Sequence, residues 1–144
     1  MKNRHTNIPA SYLILIQDNK ILLSHRINTG YEDNKLGLVS GHVEKNENFT
    51  KAIIREAKEE AGIILNENDL KVAHIMHRKS IDSERVDVFF IAENYSSEIV
   101  NSEPDKCLGH LWFDIDSLPE NTIQYIKEVI SHIKNNVFYS ESGW

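Results

Sequence analysis

The stretch that decides the fold is residues 41 to 63, Gly41-His-Val-Glu44-Lys-Asn-Glu47-Asn-Phe-Thr-Lys-Ala-Ile-Ile-Arg55-Glu56-Ala-Lys-Glu59-Glu60-Ala-Gly62-Ile63. Asn48 is a suitable N-cap, because its side-chain oxygen can accept a hydrogen bond from a free N–H group of the first turn. Gly62 stands where helices commonly end in a left-handed residue. The stretch therefore predicts a helix from Phe49 to Ala61.

This helix has an apolar side and two acidic residues that break the pattern. Turning the chain by about 100° per residue gathers an apolar side, which consists of Phe49, Ile53, Ile54, Ala57 and Ala61, and leaves Lys51, Arg55 and Lys58 opposite. Glu56 and Glu60 project beside the apolar side, where a core residue would be expected. Desolvating two carboxylates there is expensive unless a cation neutralises them.

Glu56, Glu59 and Glu60 are spaced i, i+3 and i+4, so their oxygen atoms can converge on one point. Hard oxygen ligands of this kind suit Mg²⁺ or Mn²⁺. The alternative is a solvated acidic helix with ordinary i,i+4 pairs such as Arg55 with Glu59, which is the commoner meaning of an isolated Glu-x-x-Glu-Glu.

The spacing around these acids favours the metal site. Gly41, five residues, Glu47, seven residues and the run from Arg55 to Ile63 together resemble the signature of the Nudix hydrolase family at every fixed position. A looser similarity to MutT-type nucleotide pyrophosphohydrolases extends from about residue 10 to residue 130. The resemblance implies an α/β/α sandwich around a mixed β-sheet. We expect one domain over residues 1–144, with residues 1–8 and 137–144 peripheral.

The resemblance also implies roles for individual residues. Metal ligation falls to Glu56, Glu60 and the backbone carbonyl of Ser40, with Mg²⁺ as the expected ion and Mn²⁺ as the alternative. Glu59 is implied to be either a further ligand or the group that takes the proton of the attacking water. Arg55 and Glu47 correspond to the supporting ion pair that orients the loop against the helix.

The chain departs from the MutT-type pattern in two places. Leu111 precedes Trp112 where those enzymes have a glutamate that serves as an additional metal ligand, and Val39-Ser40-Gly41 lacks their usual proline. Glu103, in the loop before the last predicted strand, is our substitute candidate for the ligand. The alternative for Glu103 is a solvated loop acid.

Three residues are candidates for substrate binding. Arg26 and Asn121 resemble residues that contact the nucleotide in MutT-like proteins, and an amide suits a guanine-type edge because it both donates and accepts. Asn121 also follows Pro119 closely and fits an ordinary helix start. Tyr31 is a candidate for stacking on a base, whereas Trp112 on an apolar strand is more often a core residue.

Composition limits the class of partner and the location. The 144 residues include 16 basic and 22 acidic ones, for a formal charge of −6, so duplex nucleic acid is not an expected partner. Cys107 is the only cysteine, which excludes an internal disulfide. The apolar run from Tyr12 to Ile16 is too short to span a bilayer. We expect a cytoplasmic protein without a membrane partner, and a homodimer stays open.

Alternating apolar patterns predict the remaining elements. The predicted strands are residues 10–17 and 21–23 as a hairpin, then 36–39, 70–77, 85–92 and 108–113. A last helix is predicted from Pro119 or Glu120 to about Asn135. Asp87 is the one acid in a strand that otherwise looks covered on both faces. Strands with an inserted helix and a terminal helix indicate a mixed sheet with helices on both faces.

Three functions follow from these features. The leading hypothesis is metal-dependent hydrolysis of a nucleoside diphosphate linked to another group, with a (deoxy)nucleoside triphosphate as the preferred substrate and the base, including an oxidised purine, left open. The second is cleavage of ADP-ribose, another nucleotide sugar or a dinucleoside polyphosphate. The third is a nucleotide-binding Nudix module without activity, which the presence of all three signature carboxylates disfavours.

Overall fold

Two β-sheets and two helices form the fold, which a computed structural model describes for residues 2–96 and 98–144. The strands are β1 (Ile8–Ile14), β2 (Ile16–Gln17), β3 (Lys20–Arg26), β4 (Leu36–Gly37), β5 (Val39–His42), β6 (Leu70–Lys79), β7 (Glu84–Ala92), β8 (Cys107–Asp114) and β9 (Tyr139–Ser142). The helices are α1 (Phe49–Ala61) and α2 (Gln124–Lys134), and a short 3₁₀ turn covers Glu67–Asp69.

The larger sheet is mixed, as predicted. Its strand order is β5-β1-β7-β6-β9, in which β1 runs antiparallel to β5 and parallel to β7. Strand β6 runs antiparallel to β7 and parallel to β9. The smaller sheet joins β2, β3 and β4, and β8 pairs with the other edge of β3.

Alternation along β1 divides the core between the two helices. Successive side chains of a strand point to opposite faces, so Tyr12 and Ile14 pack in the cluster that contains α2, whereas Leu13 and Leu15 pack in the cluster that contains α1. The larger sheet is therefore the central sheet between the two helices, which confirms the α/β/α sandwich.

Helix α1 has the predicted bounds. The Asn48 side chain accepts a hydrogen bond from Lys51 N at 2.8 Å, and Gly62 ends the helix with φ of 65°. The buried residues of the helix are Ala52, Ile53, Ala57 and Ala61, and Phe49 and Ile54 pack partly buried against the same cluster. The capping and the apolar pattern were sufficient to predict this element.

The predicted hairpin is only partly correct. The run of residues 10–17 divides into β1, which pairs with β5 and β7, and β2, which alone pairs with β3. Asp18 and Asn19 form the turn with φ of 52° and 61°, which these two residue types tolerate. Most of the run belongs to the larger sheet, because its side chains pack alternately in the cluster of α1 and in the cluster of α2.

The predicted start of α2 at Pro119 or Glu120 is wrong, because the helix begins at Gln124. Thr122 N donates to Pro119 O, and Ile123 N donates to Leu36 O at 2.9 Å. Residues 121–123 are therefore held in an extended contact with β4 before the helix begins. The predicted end is confirmed within one residue.

The C-terminal residues, which we expected to be peripheral, include a strand that the sequence pattern did not predict. Strand β9 lies at the edge of the larger sheet and pairs with β6 from Ile75 to Arg78. Within the described residues no helix is long and apolar enough to cross a membrane.

The N-cap of α1 provides a stability test. Asn48→Ala should lower the free energy of unfolding by about 1 kcal/mol, because it removes the acceptor for a first-turn N–H group. Asn66→Ala is the matched control, since Asn66 precedes the 3₁₀ turn and makes no side-chain cap hydrogen bond. Urea denaturation measures both, and equal losses would contradict the assignment.

Candidate active site

A cavity of about 540 Å³ opens between α1, strand β5 and strands β3 and β8. Two kinds of side chain line it. The acidic group comprises Glu56, Glu59, Glu60 and Glu103, next to Ser40 and Gly41 of β5, and the aromatic and cationic group comprises Tyr12, Arg26, Tyr31, His42, Arg85, Lys106 and Tyr125. Carboxylates and cations thus face one shared space.

Glu60 is the most enclosed of the acids. Its carboxylate accepts a hydrogen bond from Ser40 N at 3.1 Å. Burial, with a contribution from the nearby Glu56, raises the pKa of Glu60 to about 8. In residues 2–96 and 98–144 it forms no ion pair with a lysine, arginine or histidine. A cation in the cavity would supply the missing charge.

Glu56 lies against the backbone of residues 40–48, the segment that leads from β5 into α1 and that we call the glycine loop. A Cβ atom at Gly41 would stand 2.2 Å from the Glu56 carboxylate, so only glycine leaves room for this side chain. Burial raises the pKa of Glu56, although its Oε1 accepts a hydrogen bond from Arg55 Nη1 at 2.7 Å. The loop therefore leaves a space at Gly41 for the Glu56 carboxylate, and we call this space the glycine cradle.

Arg55 joins the helix to the loop, as the resemblance implied. Its Nε and Nη2 donate to the Glu47 carboxylate at 2.8 and 3.0 Å, and Nη2 also donates to His42 O at 3.2 Å. These Arg55 hydrogen bonds lower the pKa of Glu47 to about 2. A two-point contact of this kind fixes orientation as well as charge.

Glu59 and Glu103 complete the acidic group with more exposed side chains. Glu59 lies 3.3 Å from Arg55 Nη1 and its side chain is 56% exposed. Glu103 is 34% exposed, and its carboxylate is 3.9 Å from Lys106 Nζ. The charge of Glu103 contributes to the raised pKa of both Glu56 and Glu60. The loop before β8 thus brings Glu103 towards the signature acids.

Arg26 and Tyr31 both line the cavity. Arg26 Nε donates to Tyr31 O at 3.1 Å, and its guanidinium lies 5.8 Å from the Tyr31 ring centroid. Arg85, which no sequence pattern marked as a site residue, lies 5.9 Å from the same centroid. The Tyr31 ring consequently stands near two cations at the cavity surface.

Asn121 and Trp112 are not among the residues that line the cavity. The Asn121 side chain is exposed and donates to Asn34 O at 3.3 Å, so its role in base recognition stays a prediction. Trp112 packs partly buried against the α1 cluster, as expected for a core residue.

Several cavity residues were missed. His110 Nε2 lies 3.1 Å from Glu60 O, so it must donate there, and Nδ1 then accepts from Ser24 Oγ at 2.6 Å. Burial lowers the pKa of His110, which favours this neutral ring. His42 Nε2 lies 3.1 Å from Arg85 Nη1. The spacing of the seven histidines in the sequence did not predict these contacts, because the contacts depend on the pairing of distant strands.

The acidic group fits a hard divalent cation. Its donors are carboxylate oxygens and the Ser40 carbonyl, a set that suits Mg²⁺ or Mn²⁺ better than zinc. Among the described residues, no three histidine, cysteine or acidic side chains converge at ligand spacing, because Glu56 is turned to Arg55 and Glu60 to Ser40 N. Binding would require these carboxylates to rotate towards the ion.

Gly41 tests the cradle directly. Gly41→Ala should displace the Glu56 carboxylate and weaken Mn²⁺ binding at least about tenfold, as is typical when a ligand loses its support. Thermal stability should stay near wild type, because Glu56 is a flexible side chain. Gly109→Ala is the control, since a Cβ there meets nothing within 4 Å. Unchanged Mn²⁺ affinity, measured by calorimetry, would contradict the cradle.

Comparison with known proteins places this geometry in a family. The NUDIX domain family model matches residues 7–133. A MutT NUDIX hydrolase from Burkholderia pseudomallei is 24% identical with a TM-score of 0.80, over 88% of this chain and 98% of that chain. The MutT protein from Methanosarcina mazei Go1 is 15% identical with a TM-score of 0.77, over 93% and 97%.

A UDP-X diphosphatase is 16% identical with a TM-score of 0.69, over 99% of this chain and 70% of that chain. At these identities the solved structures show the shared fold. The family match, in contrast, spans nearly the whole chain and includes the acids that line the cavity. The chain therefore belongs to the NUDIX family and is a Nudix pyrophosphohydrolase.

Proposed function

We propose that the protein uses Mg²⁺ to hydrolyse a (deoxy)nucleoside triphosphate to a monophosphate and pyrophosphate. The observation that carries this proposal is the enclosed Glu60 carboxylate, which forms no ion pair with a described residue, next to Glu56 in the glycine cradle. Both acids face a cavity that also carries arginine, lysine and tyrosine side chains. This combination suits a polyanionic substrate that arrives with a metal ion.

Glu56, Glu60 and the Ser40 carbonyl would hold the ion, with Glu59 or Glu103 as further ligands, and Mn²⁺ is the alternative metal. A bound divalent cation supplies charge neutralisation of the diphosphate and a lowered pKa for bound water. Arg55 holds α1 to the loop through Glu47, so the acids keep their relative positions during turnover.

Glu59 is our choice for the group that takes the proton of the attacking water. It is the most exposed of the three signature acids that face the cavity, so its carboxylate keeps contact with solvent and can pass the proton on. Glu56 and Glu60 are more enclosed, which suits ligands that stay fixed.

The positive charge that would attract the substrate comes from the aromatic and cationic group of cavity side chains. Arg26, Arg85 and Lys106 line the cavity of a protein with a formal charge of −6, so they provide local attraction for phosphates. The Tyr31 ring offers a stacking surface for a base. Asn121 is retained as a prediction for base recognition, which would require movement of its side chain from Asn34 O.

The same experiments test two other functions. One is cleavage of a nucleotide sugar or a dinucleoside polyphosphate. Family members that act on these often carry a proline or a tyrosine soon after the signature, and this chain has neither between residues 63 and 94. The other is nucleotide binding without hydrolysis, against which the presence of Glu56, Glu59 and Glu60 argues.

Glu60→Gln tests the metal assignment. It should keep the fold and lower kcat at least about a hundredfold, because it removes a charge that stabilises the transition state. The control is Glu120→Gln, at an exposed position outside the cavity. Near-normal turnover of Glu60→Gln at saturating Mg²⁺ would refute the assignment.

A substrate panel ranks the functions. With Mg²⁺, the wild-type protein should cleave at least one nucleoside triphosphate to monophosphate and pyrophosphate faster than it cleaves ADP-ribose, UDP-glucose or diadenosine polyphosphates. Mass spectrometry identifies the products. Faster release of AMP and ribose phosphate from ADP-ribose would reverse the order, and Mg²⁺-dependent binding without any product would favour the binding module.

A further inference from the structure

A buried ion pair, Arg78 with Asp87, lies outside the lining of the cavity. Arg78 is 4% exposed and Asp87 is 0% exposed, and Arg78 Nε donates to Asp87 Oδ2 at 2.7 Å. A well-packed apolar pair is often at least as stable as a buried ion pair. Folding alone therefore gives little reason for a charge at this place.

Within residues 2–96 and 98–144, the other hydrogen bonds and the ring contact of the Arg78 side chain reach tyrosines of the cavity. Nη1 donates to the Tyr31 hydroxyl at 3.2 Å, and Nη2 donates to the Tyr12 hydroxyl at 3.3 Å. The guanidinium carbon lies 3.8 Å from the centroid of the Tyr125 ring. One buried guanidinium thus contacts the three tyrosines that line the cavity.

Tyr31 depends on this contact more than the other two. Tyr12 is buried in β1 and Tyr125 belongs to α2, whereas Tyr31 sits in the loop between β3 and β4 and is 39% exposed. The loop backbone is held by Asp33, which accepts from Thr29 N and Gly30 N. Among the described residues, the Arg78 hydrogen bond is the one that the Tyr31 hydroxyl makes, and it ties the outer end of the ring to β6.

We propose that Arg78 is a positioning residue for substrate binding, which acts through Tyr31 without touching the substrate. The planar fork of the guanidinium, oriented by Asp87, fixes the Tyr31 ring near Arg26 and Arg85. Because the Tyr31 oxygen accepts from Arg78, its own hydrogen is left to donate to an acceptor atom of the substrate. The inference rests on the proposed function, since it assumes that the substrate occupies this cavity.

The kinetic test uses Arg78→Lys, which keeps the charge but cannot reproduce a fork that reaches Asp87 and two hydroxyl groups together. It should raise KM about five- to tenfold with kcat within about twofold, as expected when ground-state and transition-state binding are lost equally. Tyr31→Phe should give a change of the same size and kind. Tyr139→Phe is the control, because that residue is half exposed and its hydroxyl donates to Glu141, away from the cavity.

The double variant distinguishes a positioning role, in which Arg78 acts through Tyr31, from independent effects of Arg78 and Tyr31 on KM. If Arg78 acts through Tyr31, Arg78→Lys combined with Tyr31→Phe should raise KM no more than either change alone. Additive changes in KM, or a loss of kcat at unchanged KM in Arg78→Lys, would overturn the proposal.

A spectroscopic measurement needs no substrate. In protein labelled with ¹³C-tyrosine, Arg78→Lys should shift the ring signals of Tyr12, Tyr31 and Tyr125 and leave those of Tyr95 and Tyr139 in place, with assignments from single Tyr→Phe variants. An unchanged Tyr31 signal would overturn the positioning role. Should Arg78→Lys fail to fold, the Nη1–H signals of Arg78 are compared between the wild-type protein and Tyr31→Phe. These signals must shift if Nη1 donates to the Tyr31 hydroxyl.

The two proposals fail in distinguishable ways. Absence of turnover on every compound in the panel would remove the proposed function, while the ring signals would still report whether Arg78 holds Tyr31. Normal turnover with KM unaffected in Tyr31→Phe would remove the positioning role and leave the hydrolase assignment intact.

Discussion

The structure depends on keeping two carboxylates, those of Glu56 and Glu60, in a poorly solvated place between α1 and the glycine loop. An unpaired buried carboxylate is costly, and burial accordingly raises the pKa of both. The surroundings reduce the cost in part, since Arg55 donates to Glu56 and Ser40 N donates to Glu60. A divalent cation is the partner that would remove the remainder.

The loop and helix are built around this requirement. Gly41 gives the Glu56 carboxylate space that a Cβ atom would fill. Arg55 donates hydrogen bonds to the Glu47 carboxylate and to His42 O, and these bonds hold the loop against the first turns of α1. The apolar side of the same helix packs on the central sheet, so the acids are carried by an element that cannot easily move.

The sequence predicted what is encoded locally. The bounds of α1 follow from the Asn48 cap, the Gly62 terminus and the apolar spacing, all within fifteen residues. The start of α2 did not follow, because the Ile123 N–H group bonds to Leu36 O across the fold. Strand β9 was missed for the same reason, since it exists only through pairing with β6.

The same distinction holds within the cavity. Glu56, Glu59 and Glu60 lie on one helix, so their spacing in the sequence was sufficient to predict that they face the same cavity. Asp87 was recognisable as an isolated acid in an apolar strand, but its partner Arg78 follows only from the β6–β7 register.

The central claim is that Glu56 and Glu60 exist to bind a divalent cation, and anomalous scattering from crystals grown with Mn²⁺ tests it most directly. The strongest anomalous peak should lie within about 2.0–2.5 Å of carboxylate oxygens of Glu56 and Glu60, with both side chains turned towards it. Ordered carboxylates with no peak between them, or a strongest peak elsewhere on the protein, would contradict the account.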